Sequence, residues 1–388
     1  MTFSLGIVGG GQFSGQFARP FRAHPGVRDV YVTDLLPERA GRLAAGEGLT
    51  GTFPAYEAML AAAEVDAVAV FTQRWTHGPL VLQGLRAGKH VYSAVPMAIG
   101  ADEIAEIIDT VAATGPTSMM GETSQYNPAT VHARNKIAAG AFGRLFHAEG
   151  DYVHDMDLGF YDAHRYSGGA DWKSTASYPP LLYPTHAVSV SAIGVVDERG
   201  DGVFDRSVSR FDNDVSNATA LFEVAGGGSF RTNEFRRVGY PSHIRESRFR
   251  FFGTEASVEQ LATVALWQDK TGVEDISELL ASRPAASPDD PRLQHVAPEL
   301  RAAFTSGSAP VHDRARPPRA FDRLPNRHEG SHHFLVDDFV TAVHSRTLPS
   351  VNAWVAARYT LPGIVAHESA RQGGARLRIP DFGDAPEG

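Results

Sequence analysis

The sequence contains no cysteine and no long apolar run, and acidic residues outnumber basic ones by 45 to 36, for a formal net charge of −9. Without cysteine the chain has no disulfide, no thiolate metal ligand and no cysteine nucleophile. No apolar run approaches the ~18 residues that a membrane span requires. The net charge repels a phosphate backbone, and no basic cluster offsets it. These absences predict a protein that binds neither nucleic acid nor membrane.

Size and composition predict a globular protein with two domains or three. The chain has 388 residues, of which 43% are hydrophobic and 21% charged. These fractions are typical of globular domains, which average about 150 residues each. The first apolar segment begins at Phe3, and this start leaves no room for a signal peptide. We therefore expect a cytoplasmic protein.

The first 34 residues carry a dinucleotide-binding pattern. An apolar strand, Phe3–Val8, leads into three glycines at 9–11. A helix is predicted over Gly15–Ala23, and a second strand, Val27–Thr33, ends at Asp34. A strand, a Gly-rich turn, a helix, a strand and then an acid is the order typical of dinucleotide-binding folds.

Each small or acidic residue of this pattern has a physical role. Gly9 and Gly11 permit a tight turn and let the backbone approach a pyrophosphate, which the helix N-terminus then faces. Ser14 replaces the third glycine of the motif and is small enough to keep helix and strand close. Asp34 lies about 20 residues beyond the turn and can hold both ribose hydroxyls. Leu35 follows it rather than an arginine, which favours NAD over NADP.

The alternative interpretation of this motif is a Gly-rich loop that binds no ligand. The further predicted cofactor contacts are Gln12, Phe13, Thr72, Trp75, His77 and Pro96.

Further strand–helix units follow the first pattern. The predicted strands are Val65–Phe71, His90–Tyr92 and Thr117–Met120, and the predicted helices are Gly78–Ala87 and Ala101–Thr114. Continuous apolar strands that alternate with helices indicate a doubly wound parallel sheet of the α/β class.

The second half of the chain has a different periodicity. Apolar and polar residues alternate over Asn217–Val224, Gly228–Phe235 and Glu246–Gly253, which predicts antiparallel strands. Residues 281–330 form a long irregular segment, which is predicted to cover the pocket or to wrap a neighbouring subunit. Two terminal helices are expected within 334–368.

Three segments resemble the family of glucose–fructose oxidoreductase and inositol dehydrogenase (Gfo/Idh/MocA): Val65–Phe71, the following His77, and Leu85–Val91. The resemblance spans most of the chain. It implies an NAD-binding Rossmann domain at 1–123 and an α/β domain at 124–388. A large, open, mostly antiparallel sheet of the second domain would cover the nicotinamide, and it would often form the interface of a homo-oligomer, a dimer or a tetramer.

The chain departs from this family at two expected catalytic positions. Ala94, Val95 and Pro96 stand where the family's dehydrogenases carry Glu-Lys-Pro. Leu182 stands four residues before His186, where an aspartate is expected. Oxidation of an alcohol needs a base for the hydroxyl proton, and valine cannot serve. Either another residue is the base or the chain is a non-catalytic relative.

Three clusters offer substitutes. Glu122 follows a strand end, where doubly wound folds bind ligands. Tyr152 and His154 share one face of a predicted strand, and Tyr183 and His186 follow a proline-rich segment. In order and spacing the set resembles the active site of NAD-dependent glycosidases within the family, such as the N-acetylgalactosaminidases.

Each substitute also has a simpler interpretation. Buried tyrosines and histidines commonly satisfy hydrogen bonds within a core. A metal site formed by His154, Asp155 and His186 has no standard spacing, so we predict no metal. We interpret His332 and His333 as structural.

The chemistry that the resemblance implies is a closed redox loop. The sugar is oxidised at C3, deprotonated at C2 and loses its C1 substituent by elimination; water then adds and the hydride returns. Tyr183 is assigned to the C2 proton and His186 to the C3 hydroxyl proton, with Tyr152 and His154 as second candidates. Glu122 would anchor sugar hydroxyls or orient water.

Residues 161–173 are predicted to bind the substrate, because their glycines and aromatic residues suggest an ordered binding loop. Cationic donors and a stacking face there would suit an anionic sugar. The NAD-dependent sulfoquinovosidases of the same branch favour a sulfonated glucoside, and an N-acetylated sugar remains open. Alternatively, the cations pair with Asp162 and Asp171 on the surface. The candidate substrate-binding residues are Arg165, Trp172, Lys173 and Tyr126.

Two other functions remain open from the sequence. The first is a sugar dehydrogenase with net oxidation, in which tyrosine or histidine replaces the lysine. The second is a non-enzymatic sensor of a sugar or a nucleotide. The Gly-rich turn and the crowd of ionisable residues favour an enzyme over a sensor.

Overall fold

The structure, a computed structural model, describes residues 2–182, 189–239, 245–284, 307–322 and 324–386, together with positions 287, 289, 291, 294 and 301. The described strands form two sheets, one of six strands and one of nine. No helix in these ranges is both long enough and apolar enough to cross a membrane.

The first sheet is parallel and doubly wound, as the apolar runs predict. Its order is β3-β2-β1-β4-β5-β6, with β1 (Phe3–Val8), β2 (Val27–Thr33), β3 (Gly51–Thr52), β4 (Ala67–Val70), β5 (His90–Ser93) and β6 (Ser118–Met120). The intervening helices are α1 (Gln12–Ala23), α2 (Pro37–Glu47), α3 (Tyr56–Ala61), α4 (His77–Arg86) and α5 (Ala101–Thr114). All residues of β1 and β4 are buried, because helices cover both faces of the sheet. The strand order turns back between β1 and β4, which is where such folds bind a dinucleotide.

The second sheet is large and mostly antiparallel, as predicted. Its strands are β7 (Leu145–Val153), β8 (Ser189–Val196), β9 (Val215–Val224), β10 (Gly228–Phe235), β11 (Ser247–Gly253), β12 (Ala256–Gln260), β13 (Ala265–Asp269), β14 (Gly272–Asp275) and β15 (Leu377–Arg378). Their order is β14-β13-β12-β11-β7-β10-β9-β8-β15, and β7 and β10 are the parallel pair. The helices that follow the first domain are α6 (Pro128–Ala138), α7 (Phe160–Gly168), α8 (Trp172–Ala176), α9 (Ser277–Leu280), α10 (Arg327–Ser345) and α11 (Ala353–Arg371).

One face of the second sheet is packed and the other is open. Along β9, Ala220 and Phe222 are buried whereas Leu221 between them is 55% exposed. On the open face, Arg250 forms ion pairs with Glu149 at 2.6 Å and with Asp151 at 3.1 Å. The alternation of the sequence therefore separates an apolar face from a charged face.

The last two helices return to the first domain. Leu335 and Phe339 of α10 share a hydrophobic cluster with Leu5 and Ile7 of β1. Helix α11 packs against α5 and β6 as well as against β8. The two sheets are thus joined by helices from the C-terminal part of the chain, and His328 at the start of α10 lies beside Phe13, which follows the Gly-rich turn.

Residues 161–173 are helical, so the prediction that they form a loop is wrong, and their predicted role in substrate binding stays a prediction. Helix α7 covers most of this stretch, a short 3-10 helix follows at Gly169–Asp171, and α8 begins at Trp172. Tyr161 and His164 are both buried, and a spacing of three residues puts them on one face of a helix. The glycines that favoured a loop lie at the helix end, where Gly169 has a φ of 58°.

Candidate active site

The Gly-rich turn is shaped for a ligand. Gly9 has a φ of 101°, and a Cβ there would lie 2.7 Å from the carbonyl oxygen of Phe71. A Cβ on Gly11, in contrast, would meet no protein atom within 4 Å. The fold itself requires glycine at position 9, whereas Gly11 leaves open space at the N-terminus of α1. A pyrophosphate fits such a space, because the backbone N–H groups of the helix point into it.

Asp34 ties the end of β2 to this turn. Its carboxylate accepts hydrogen bonds from the backbone N–H of Gly10 at 2.7 Å and of Leu36 at 2.8 Å. The buried Ser14 donates to the carbonyl oxygen of Gly11 at 2.7 Å. Helix α1 therefore begins at Gln12, three residues before the predicted start. Phe13 is half-buried in its first turn.

The loops after β4 and β5 are held together by His77. Its Nδ1 lies 2.8 Å from the carbonyl oxygen of Pro96, and its Nε2 lies 3.1 Å from that of Thr72. Burial lowers the pKa of this histidine. Trp75, in the same loop, lies 4.7 Å below the guanidinium of Arg210. The predicted cofactor contacts of these two loops are thus brought to one edge of the sheet.

Val95 occupies the position of the family lysine as an apolar side chain. It is half-buried and packs against a hydrophobic cluster that contains residues of both domains. Its neighbour Ala94 is buried. The loop after β5 therefore supplies no side chain that exchanges protons at these two positions.

Glu122 lies at the carboxyl end of β6, as predicted, and is buried. Its Oε1 accepts a hydrogen bond from the backbone N–H of Ser124 at 2.8 Å, but burial dominates and raises the pKa of its carboxyl group. A negative charge on Glu122 would raise the pKa values of Tyr92 and Tyr359. Tyr92 and Tyr359 are therefore titratable groups that interact with Glu122.

Tyr152 and His154 lie together at the end of β7, with ring centroids 4.9 Å apart. His154 is buried, and neither of its ring nitrogens has a hydrogen-bond partner among the described residues. Burial, reinforced by the charges of Arg236 and Arg74, holds the pKa of His154 well below its usual value. The imidazole is therefore neutral near pH 7, and one of its ring nitrogens carries a lone pair.

His328 is a residue of this site that the sequence analysis missed. The backbone is left-handed over three successive residues, with φ of 48° at His328, 55° at Glu329 and 103° at Gly330. Non-glycine residues in this region store strain, which recurs at functional sites. Because the backbone over 328–330 is not helical, the helical four-residue spacing does not explain the contact of His328 with His332, and no local signal in the sequence pointed to it.

The imidazole of His328 lies beside Phe13, in the first turn of α1. The residue as a whole is exposed, yet the protein packed around its imidazole lowers the pKa of the ring to about 4. Its ring is 5.7 Å from that of Phe13, and a charge on it would lower the pKa of His154. One ring nitrogen lies 2.7 Å from Nε2 of His332. His332 itself is fully buried and stacks on Phe17 at 4.1 Å.

Glu246 is a second residue that the sequence analysis passed over. Its carbonyl oxygen accepts a hydrogen bond at 2.9 Å from the backbone N–H of Val153, the residue that precedes His154 in the chain. Burial raises the pKa of its carboxyl group to about 7, while the charge of Arg236 opposes the shift. A carboxyl group with a pKa near neutrality can donate as well as accept a proton.

Arg165 and Lys173, which we predicted as anion donors, have protein partners in the structure. Arg165 forms an ion pair with Asp162 at 2.6 Å and lies 4.5 Å from the ring of Trp172. Lys173 donates to the carbonyl oxygen of Asp201 at 2.6 Å. These contacts match the alternative in which the cations are engaged at the surface, although Asp171 pairs with Arg210 instead.

Tyr126 is buried between the 3-10 helix after β6 and α10. Its hydroxyl donates to Asp338 and accepts from Arg316 at 2.8 Å, and its ring stacks on Phe334. His333 is also buried, and its Nε2 lies 3.2 Å from the carbonyl oxygen of Pro325.

Tyr183 and His186 lie outside the described residues, so their predicted roles stay predictions. Of the metal alternative, His154 and Asp155 are described, and Asp155 accepts the backbone N–H of Asp157 at 3.1 Å. Within the described ranges, no three histidine, aspartate or glutamate side chains are grouped as a metal site requires.

Comparison with known proteins agrees with this geometry. The model of the GFO_IDH_MocA family, an oxidoreductase family with an NAD-binding Rossmann fold, matches residues 3–122. The nucleotide-binding domain of this chain belongs to that family. The predictions of a Rossmann domain and of the Gfo/Idh/MocA resemblance are thereby confirmed.

Proteins similar to this chain include glycosyl hydrolase family 109 proteins. One from Shewanella pealeana is 28% identical over 211 residues, which cover 52% of this chain and 46% of the relative. The chain thus matches about half the length of that relative. Another, from Streptomyces niveus, is 25% identical over 407 residues, covering 98% of this chain and 77% of the relative.

Among solved structures, levoglucosan dehydrogenase in complex with NADH superimposes with a TM-score of 0.71. The match covers 98% of this chain and 100% of that chain at 16% sequence identity. At that identity the likeness shows the two-domain fold, and it leaves the reaction to be argued from the site.

Proposed function

We propose that this protein is an NAD-dependent enzyme that hydrolyses a glycoside without net oxidation of the sugar. The observation that carries the proposal is His154, a buried and neutral imidazole beside Tyr152, in a site where Val95 replaces the family's lysine. Proton transfer has moved from the loop after β5 to the second domain. The glycosyl hydrolase family 109 relatives support a glycosidase over a dehydrogenase.

The cofactor would be held by the Gly-rich turn at 9–11, by Asp34, and by the loops that His77 joins. Bound NAD would supply a reversible hydride acceptor. Gly11 leaves space for the pyrophosphate. Asp34 would turn its remaining lone pairs to the ribose, because each carboxylate oxygen accepts more than one hydrogen bond.

The chain's own residues supply the proton transfers. The neutral imidazole of His154 would accept a proton from the sugar, at C2 or at the C3 hydroxyl. Glu246, with a pKa of about 7, would protonate the departing oxygen at C1 and then deprotonate the incoming water. His328, oriented by His332 and lying beside Phe13, would assist the proton transfers. Tyr183 and His186 complete the proposal as the residues assigned from the sequence.

The sugar is proposed by chemical class. A sulfonated glucoside remains the first candidate from the resemblance, and an N-acetylated sugar is the second. Since Arg165 and Lys173 have protein partners, recognition of an anion would require these side chains to exchange those partners for the substrate. The buried Glu122 would accept hydrogen bonds from sugar hydroxyls, which any of these sugars presents.

The deciding experiment follows aglycone release and NADH absorbance together. Nitrophenyl sulfoquinovoside, glucoside and N-acetylgalactosaminide are each tested with added NAD. Aglycone release that depends on NAD, with no accumulation of NADH, supports the proposal and identifies the sugar. NADH that accumulates with oxidised sugar and without aglycone release supports a dehydrogenase instead, and silence in both channels would favour the sensor.

A further inference from the structure

Arg236 is among the most buried charged residues in the described part of the chain. It directly follows β10, and its side chain is 1% exposed. Its backbone N–H donates to the side-chain oxygen of Asn217 at 2.9 Å, and its carbonyl oxygen accepts the N–H of Met156 at 2.9 Å. The backbone is therefore fixed on both sides, and the position of the guanidinium is set by the sheet.

The guanidinium contacts three separate segments of the site. It pairs with Glu234 of β10 at 3.0 Å and donates to the carbonyl oxygen of Pro180 at 3.2 Å. Its flat face lies 4.8 Å from the ring of Tyr152 on β7 and 5.4 Å from the ring of Tyr178. Pro180 and Tyr178 belong to the stretch that leads into Tyr183.

Tyr178 extends this stack to the nucleotide-binding domain. The ring of Tyr178, which contacts Arg236, also contacts Arg74 in the loop after β4. The guanidinium carbon of Arg74 lies 4.0 Å from the centre of that ring. Tyr178 is 3% exposed, so both cations are near a desolvated ring, where cation–π contacts are strongest. Arg74, Tyr178 and Arg236 thus link the loop that borders the cofactor site to the sheet that carries Tyr152.

We propose that Arg236 is a positioning residue: it holds the ring of Tyr152 and the 178–182 segment in one fixed arrangement against the cofactor domain. Arginine suits this role because its planar fork can donate to two acceptors while its faces stack on aromatic rings. A lysine keeps the charge but lacks both the fork and the flat face. The kinetic part of this inference rests on the proposed function, whereas its electrostatic part does not.

The electrostatic part concerns His154. Burial is the main cause of its low pKa, and the charge of Arg236 is the next. The other charged or titratable groups near the imidazole are Tyr152, Arg74, His164 and His328. Removal of the charge at position 236 should therefore raise the pKa of His154, and lysine at that position should leave the pKa low.

The test compares Arg236→Lys with Arg236→Met in the full chain with NAD. Imidazole signals are followed by NMR against pH in protein labelled at histidine, with His154→Gln to assign the signal. We expect Arg236→Met to raise the pKa of His154 and Arg236→Lys to leave it low. Turnover should fall in both variants, by on the order of 100-fold, with NAD affinity unchanged. Methionine at position 236 leaves Glu234 buried without its partner. The double variant Glu234→Gln/Arg236→Met removes both charges and is the second charge-free variant.

The adjacent arginine is the matched control. Arg237 is also buried but pairs with Asp197 at 2.7 Å and with Asp201 at 2.8 Å. Arg237→Lys should lower thermal stability and leave the His154 titration unchanged. Wild-type turnover in both Arg236 variants would overturn the positioning role, and an unchanged His154 titration in both charge-free variants would overturn the electrostatic part. If no glycoside is cleaved by the wild type, the titration still tests the electrostatic part, because it needs no substrate.

Discussion

The imidazole of His154 lies 4.9 Å from the ring of Tyr152, and both of its nitrogens lack hydrogen-bond partners in the described part of the chain. A buried polar group without a partner is costly and is retained where it has a function. Tyr152 and His154 leave β7 side by side because His154 N–H bonds to the carbonyl oxygen of Phe235 at 2.8 Å, which extends the strand geometry by one residue.

Replacement of His154 by glutamine should abolish most turnover and leave NAD binding intact. The expected loss in kcat is about 10²- to 10⁴-fold, the range for removal of a general base. Glutamine keeps a polar group of similar size, so the loss would report chemistry rather than a cavity. Turnover is measured with the best glycoside of the panel, and NAD affinity by titration of the protein fluorescence. Wild-type turnover would exclude His154 as a proton acceptor.

His164 should make stability depend on pH. Burial lowers its folded-state pKa from 6.5 to about 3, so the unfolded state binds more protons between these values. The contribution is fully present above pH 6.5 and is lost as the pH falls. Between pH 6.5 and 5 the loss is about 2 kcal/mol, since one pKa unit corresponds to about 1.4 kcal/mol. Urea unfolding at a series of pH values should show a shallower dependence for His164→Gln than for the wild type.

Glu246 should make the free energy of unfolding depend on pH in the sense opposite to His164. Its folded-state pKa is raised from 4.5 to about 7, so its contribution is present below pH 4.5 and is lost as the pH rises to 7. Glu246→Gln should therefore be more stable than the wild type at pH 8, relative to the difference between them at pH 4. The same variant should lose turnover if Glu246 protonates the leaving group. Equal stability differences at the two pH values would contradict the burial that the structure assigns to this carboxyl group.

The strained turn at His328 predicts that replacing this residue by glycine lowers turnover without lowering the stability of the fold. Glycine adopts a φ of 48° without the penalty that a side chain incurs there, so His328→Gly should not lower the free energy of unfolding and should raise it by up to about 1 kcal/mol. Turnover should fall, because the variant removes the imidazole that is proposed to assist proton transfer. His344→Gly, within the regular part of α10, is the control and should destabilise by about 1 kcal/mol. A large loss of stability in His328→Gly would show that the imidazole holds the fold.

The sequence predicted the elements better than it predicted the contacts between them. The strands and helices of the first domain follow from apolar runs and glycines, which are local signals. The helical character of 160–176 was missed because the signal of Tyr161 and His164 is short and ends in glycines. His328 and Glu246 were missed because their pKa shifts arise mainly from burial in the folded chain. Long-range burial of this kind has no local pattern.

Gly9 and Gly11 should respond differently to a single methyl group. Gly9→Ala places a side chain at a φ of 101° and against the carbonyl oxygen of Phe71, so the free protein should lose stability by about 1–3 kcal/mol. Gly11 has an extended backbone, with φ −79° and ψ −179°, and a Cβ there meets no protein atom within 4 Å. Gly11→Ala should therefore melt at the wild-type temperature without NAD. If the open space at Gly11 holds the pyrophosphate, the same variant should bind NAD at least about tenfold more weakly, because a methyl group displaces the phosphate from the N–H groups of the helix. Wild-type affinity for NAD in Gly11→Ala would mean that the cofactor does not lie against this turn.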